Sequence, residues 1–271
     1  MPFSPSSPVF ELLRAETTEG GLSDGQLRDL VAYVERSPIL ERRLTGFERV
    51  GGRIVYNTDE VNCYWLDRST EPPGPPTIYL AASFLETADI AGMVQIVAHE
   101  LSHFETDAGT AGGFNPNAMV NKDVAAAAGC RDEARAYALE YLVQQEINRT
   151  QPRVDWMARG QEAAIRSGLD TLPADEHDEI RRLDAATRTT IAWAANWTGA
   201  DPKAGGYFQF YQNEWLRTNP PGGTAAASKV ELVCDASGNI VKLEYVAGAE
   251  GARIVILDPA VGGFTPGTRL A

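Results

Sequence analysis

The stretch His99-Glu100-Leu101-Ser102-His103 decides how this chain is read. Two imidazoles four residues apart, with a carboxylate directly after the first, match the pattern HExxH. On a helix of 3.6 residues per turn, positions 99 and 103 project from one face, so each ring can place a nitrogen about 2.0–2.1 Å from a single zinc ion. Glu100 stands beside them, where a carboxylate can take the proton of a water that attacks a carbonyl. The run upstream supports the helix. Ile90, Val94, Val97 and Leu101 recur at helical spacing, and Thr87 or Asp89 is placed to cap it. A helix buried along that stripe carries the two histidines inward and holds them rigidly.

Two histidines need a third protein ligand, and its identity sorts the zinc hydrolases into classes. The metzincin extension requires Gly at position 106 and His or Asp at 109, whereas this chain has Thr106 and Gly109. Glu133 stands in Arg131-Asp132-Glu133-Ala134-Arg135-Ala136-Tyr137-Ala138-Leu139-Glu140-Tyr141, where small alanines let a second helix approach closely. With His99, Glu100 and His103, this segment resembles the gluzincin arrangement, in which a helix downstream of HExxH supplies a Glu within a Glu-x-x-Ala-like segment. Glu133 and Ala136 match those positions. The resemblance covers roughly residues 77–145. It implies an α+β, zincin-like domain, with one Zn²⁺ held by His99, His103 and Glu133, Glu100 as the catalytic base, and a peptide or protein as substrate.

Other residues compete for these roles. Asp107 stands one turn beyond His103, Asp132 is one position from Glu133, and His177 is the third and last histidine, within the charged segment Asp175-Glu176-His177-Asp178-Glu179. An Asp that does not bind the metal can still orient an imidazole N–H. Tyr137, Tyr207 and His177 are candidates to stabilise a developing oxyanion. Ser102 has no partner histidine placed to activate it as a nucleophile. A non-catalytic, zinc-stabilised binding module is the alternative, but a structural site has no use for Glu100 and normally fills its fourth position with protein.

Composition narrows the setting. The chain has 271 residues, 44% of them apolar, enough for a substantial core. A net charge of −13 repels phosphate backbones and anionic lipid, which argues against nonspecific nucleic-acid or membrane binding. No apolar run is long enough for a membrane span, and Met1–Pro8 lacks the basic and apolar regions of a signal peptide. Cys63, Cys130 and Cys234 are odd in number and far apart, against a disulfide framework. Synthesis in a reducing cytosol is the simplest expectation. The chain also looks like the HExxH metallopeptidase toxin domains that bacteria deliver without a signal peptide. That resemblance implies export by a signal-independent machine and a cognate immunity protein. A housekeeping cytosolic peptidase accounts for the same features.

The organisation reads as a partly disordered lead-in over 1–20, a zincin-like domain over 21–220 and a small β-meander over 227–260. A helix is expected from Ser23 to Leu44, then β runs at Phe47–Val50, Arg53–Asn57, Val61–Leu66 and Thr77–Leu80. In zinc hydrolases of this kind an edge strand pairs with an extended substrate. Thr77–Leu80 reads equally as that edge or as a core strand. A Gly- and Asn-rich loop follows HExxH at 107–117. Helices are then expected from Lys122 or Arg131 to Asn148, from Arg153 to Ser167 and from Ala174 to Asn196, with an aromatic helix or turn at Gly205–Arg217. Strands at Val230–Cys234, Ile240–Val246 and Arg253–Leu257, with a turn at Asp235–Asn239, complete the chain.

Overall fold

Leu27, Leu30, Val31 and Val34 form the buried stripe of α1 (Asp24–Glu35), and Ser23 opens it through a reciprocal capping box with Gln26. The computed structural model describes residues 3–14, 21–57, 62–67, 73–84, 87, 89–109, 114–115, 119, 121–150, 152–195 and 206–219, and the backbone alone at 85–86, 196, 229–234, 240–247 and 252–255. The single helix expected over 23–44 is two. Pro38 has no N–H and cannot continue α1, so the chain restarts as α2 (Pro38–Arg49) with Ser37 as its cap. The expected strand at Phe47–Val50 is likewise corrected. Leu40, Leu44 and Phe47 follow the helical period and are fully buried on α2, which ends before Gly51 at φ 80. Within the lead-in, Pro8–Leu13 is a 3-10 helix that buries Val9, Phe10 and Leu13.

Next come β1 (Arg53–Asn57), β2 (Cys63–Trp65) and β3 (Thr77–Ala81). The sheet order is β1-β3-β2, with β1 parallel and β2 antiparallel to β3. Thr77–Leu80 is therefore the central strand and not an edge, because Ile78 and Leu80 are fully buried and strands pair with it on both sides. Two helices follow, the short α3 (Ser83–Thr87) and the long α4 (Ile90–Gly109). Helices α1 and α2 pack on α4, as do β2 and β3.

The longest helix is α5 (Lys122–Ile147), the longer of the two expected spans. Asn121 caps it, its Oδ1 accepting from Asp123 N and Val124 N, each at 2.9 Å. Apolar residues on all its sides, among them Val124, Ala126, Cys130, Ala134, Ala138, Leu142 and Ile147, are buried, as expected of a helix inside a core. Then come α6 (Arg159–Leu169), α7 (Glu179–Asn196) and α8 (Tyr207–Thr218). The last described strands, β4 (Lys229–Cys234), β5 (Ile240–Ala247) and β6 (Ala252–Val255), pair antiparallel in the order β4-β5-β6. The expected turn at 235–239 lies outside the described residues. The chain is thus α+β, helix-rich with a small mixed sheet.

Two compact units divide the chain, Met1–Thr110 with Leu139–Met157, and Ala111–Ala138 with Ala158–Ala271. The boundary falls within the unbroken helix α5. In the first unit Ser37 Oγ donates to Glu146 Oε2 at 2.6 Å, and Arg36 Nη2 donates to the carbonyls of Ile147 and Thr150. These bonds hold the start of α2 to the end of α5. In the second unit α6 packs on α7 closely enough that a Cβ on Gly168 would lie 2.2 Å from the Ala185 carbonyl oxygen. Cys130 and Ala134 of α5 pack with Ile191 and Ala194 of α7. No helix among the described residues is long and apolar enough to cross a membrane.

Candidate metal centre

Asp89 is the residue that caps α4, its Oδ1 accepting from Gly92 N at 2.9 Å while its carbonyl takes the Met93 N–H. From that start the apolar stripe Ile90, Met93, Val94, Val97 and Leu101 is buried, and it carries His99, Glu100 and Ser102 inward with it. The expected one-face geometry follows: the rings of His99 and His103 lie 4.9 Å apart between centroids, at 71°. Beyond His103, Phe104 packs edge-on against Phe47 of α2 and Tyr64 of β2, and Arg43 of α2 pairs with Glu105 at 3.1 Å. The second half of α4 is thereby clamped between α2 and the sheet.

His99 Nδ1 lies 2.6 Å from Glu140 Oε1, a carboxylate 1% exposed that also accepts from Gln95 Nε2 at 2.7 Å. Against an ionised carboxylate, which can only accept, Nδ1 is the donor, and Nε2 is the nitrogen on the side of the ring away from Glu140. A carboxylate behind the imidazole is the usual companion of a metal-bound histidine, where it fixes the tautomer and the ring's direction. Glu133 lies on the same unbroken helix as Glu140, two turns earlier and on the same face. Among the described residues, His99, His103 and Glu133 form a group whose ligand atoms all lie within 4.8 Å of one another. That group can hold a metal ion.

The donor set fits a divalent transition ion. Two imidazole nitrogens and one carboxylate oxygen suit zinc and its neighbours, whereas calcium and magnesium favour all-oxygen shells. Three protein ligands leave a coordination position for water or substrate.

Glu133 is buried, and its Oε1 accepts from the Tyr211 hydroxyl of α8 at 2.8 Å. Burial first and the Glu133 charge next hold that hydroxyl well above the ordinary phenol range. The same two causes, followed by Tyr137, raise Tyr207, whose hydroxyl lies 3.1 Å from that of Tyr137. Both phenols therefore stay protonated and able to donate. Cys63 of β2 is pushed up to about 11, by burial and then by the charge of Glu100, and Cys130 is raised by burial and then by Glu133. Neither thiol ionises near neutral pH.

The remaining candidates separate by their surroundings. Asp107 is buried, but its Oδ2 accepts from Tyr64 Oη at 2.8 Å, so it ties α4 to β2 and stands outside the ligand group. Asp132 is buried beside Glu133 and is likewise not in the group. His177 is exposed in the segment between α6 and α7, and also lies outside it. Ser102 is fully buried and takes no part. Sequence reasoning missed Glu140, Gln95 and Tyr211. The first had a signal, because Glu133 and Glu140 are spaced to share a helix face. Gln95 had a weaker one, lying one turn before His99.

Comparison with known proteins adds no relative: no protein-family model matches the chain, and no curated protein or solved structure does.

Proposed function

We propose that this chain is a zinc-dependent hydrolase of peptide bonds, of the gluzincin kind, with His99, His103 and Glu133 holding the metal and Glu100 as general base. The observation that carries the reading is the convergence of those three ligand groups within 4.8 Å, two of them on the helix that bears Glu100. A divalent ion bound there supplies Lewis acidity and makes a coordinated water more acidic. Glu100, 5% exposed and next in chain to His99, takes the proton from the attacking water and passes it to the leaving amine. Glu140 keeps the Nδ1 proton of His99 in place throughout.

The test is metal content by elemental analysis together with cleavage of a fluorogenic peptide library, for wild type and Glu100→Gln. The variant keeps its metal and loses turnover by at least ~10²-fold. Undiminished cleavage in the variant, or no metal in the wild type, overturns the reading.

A further inference from the structure

Tyr211 is set against Glu133 by a feature that sequence alone leaves unexplained, a glycine inside a long buried helix. Gly129 lies in α5 one turn before Glu133, where a glycine costs about 1 kcal/mol relative to alanine. A Cβ at that position would stand 2.3 Å from Tyr211 Cδ2 and 2.4 Å from Cε2, deep inside contact distance. The missing side chain is therefore a notch into which the Tyr211 ring is laid. From there its hydroxyl reaches one turn along α5 to donate to Glu133 Oε1 at 2.8 Å.

The register of α8 against α5 is fixed on the far side of this contact. Gln212 Nε2 donates to Asp123 Oδ1 at 2.6 Å, and Trp215 Nε1 donates to the Met119 carbonyl at 2.7 Å. On the near side Tyr207 stacks on Tyr211 with centroids 6.3 Å apart, one turn earlier on α8. The ring of Tyr211 is thus confined by Gly129, Tyr207 and the two flanking bonds, so its hydroxyl has one direction available.

We propose that Tyr211 is a positioning residue for Glu133, holding one carboxylate oxygen so that the group presents a fixed orientation to the metal, and that Gly129 exists to admit it. This rests on the reading of Glu133 as third ligand. A ligand carboxylate left to rotate loses affinity through the ordering it undergoes on binding, and outer partners of this kind contribute about 10–100-fold in metal affinity. Nothing in this role needs Tyr211 to touch substrate.

The experiment compares wild type with Tyr211→Phe, Gly129→Ala, the double variant and Glu133→Ala. The readouts are zinc affinity by chelator competition, the visible absorption of the cobalt-substituted protein, and the thermal midpoint of the metal-free protein. Tyr211→Phe keeps the ring in its notch and deletes only the hydroxyl, so the metal-free protein still unfolds in one transition, at a lower midpoint because Glu133 loses a donor, while zinc binds about 10–100-fold more weakly and the cobalt bands shift. Gly129→Ala weakens zinc binding to a similar degree, and costs no further affinity in the Tyr211→Phe background, because both act through one hydroxyl. Wild-type affinity and an unshifted cobalt spectrum in Tyr211→Phe overturn the inference, while a loss of affinity in Glu133→Ala in the same series leaves the ligand assignment standing. Equal zinc binding by wild type and Glu133→Ala overturns both.

Discussion

Replacing Glu140 by glutamine keeps the shape of the side chain and removes its charge, which isolates what the carboxylate does for His99. The carboxylate accepts two short bonds, from His99 Nδ1 at 2.6 Å and Gln95 Nε2 at 2.7 Å, at a residue only 1% exposed. Glutamine retains a single acceptor oxygen, so the amide either meets Gln95 with a donor or turns its own N–H₂ toward His99. Turned toward His99, it favours the tautomer with Nδ1 deprotonated and Nε2 occupied by a proton, the wrong one for a metal. The expected loss is about 10–100-fold in zinc affinity, which is about 1.4–2.8 kcal/mol. Stability of the metal-free protein moves much less. Losing a charge-assisted bond costs about 1.5–3 kcal/mol, and relief of the buried carboxylate's desolvation offsets most of it. Chelator competition gives the zinc dissociation constant, and thermal unfolding with metal removed gives the second quantity. An unchanged zinc affinity refutes the assignment of Glu140 as the orienting partner. Unchanged affinity with a thermal midpoint lower by roughly 10 °C shows instead that the carboxylate only holds α4 to α5.

Gly168→Ala places a methyl group 2.2 Å from a backbone carbonyl that cannot swing aside, so α6 and α7 must separate. The expected loss is about 1–3 kcal/mol, read as a midpoint lower by roughly 2–10 °C, and an unchanged midpoint contradicts the close approach. Ser37→Ala removes both the cap on Leu40 N and the 2.6 Å bond to Glu146. It costs about 1–2 kcal/mol, with faster amide exchange at Leu40, and unaltered exchange there contradicts the cap. Cys63, its thiol pushed up to about 11, holds its proton at pH 8 and gains thiolate roughly tenfold per pH unit up to that value. Iodoacetamide should therefore modify it about a hundredfold more slowly in the native chain than in urea, as read by mass spectrometry. Equal rates would place the thiol in an ordinary environment.

Periodicity served best where the determining distances are local. The stripe of Ile90, Val94, Val97 and Leu101 foretold α4, and HExxH foretold two imidazoles on one face, because residues four apart on a helix are neighbours whatever surrounds them. Glu133 was named from a resemblance and from its alanine-rich segment, which suits close helix packing, but Asp132 beside it left the choice open. Where a local signal had two readings, the tertiary context chose. Phe47–Val50 alternates like a strand, yet burial of Phe47 with Leu40 and Leu44 continues the helix. Thr77–Leu80 suits an edge or a centre equally, and pairing on both sides made it central. Pro38 carried a stop signal that the hydrophobic spacing across it concealed.

From its sequence alone the chain determined two helices, one with His99, Glu100 and His103 and a second with Glu133. What only the tertiary structure decided is which of the acidic residues near HExxH lie against the histidines. Among the described residues, Asp107 turns to Tyr64, Glu140 lies behind His99, and Glu133 groups with the two rings, bonded by a tyrosine 78 positions downstream. The physical reason is that a carboxylate is chemically the same at every position, and its function is set by the one or two groups within about 3 Å of it. Those neighbours come from helices and strands far apart in the chain, brought together by the burial of apolar faces that carry no record of the polar contacts they create.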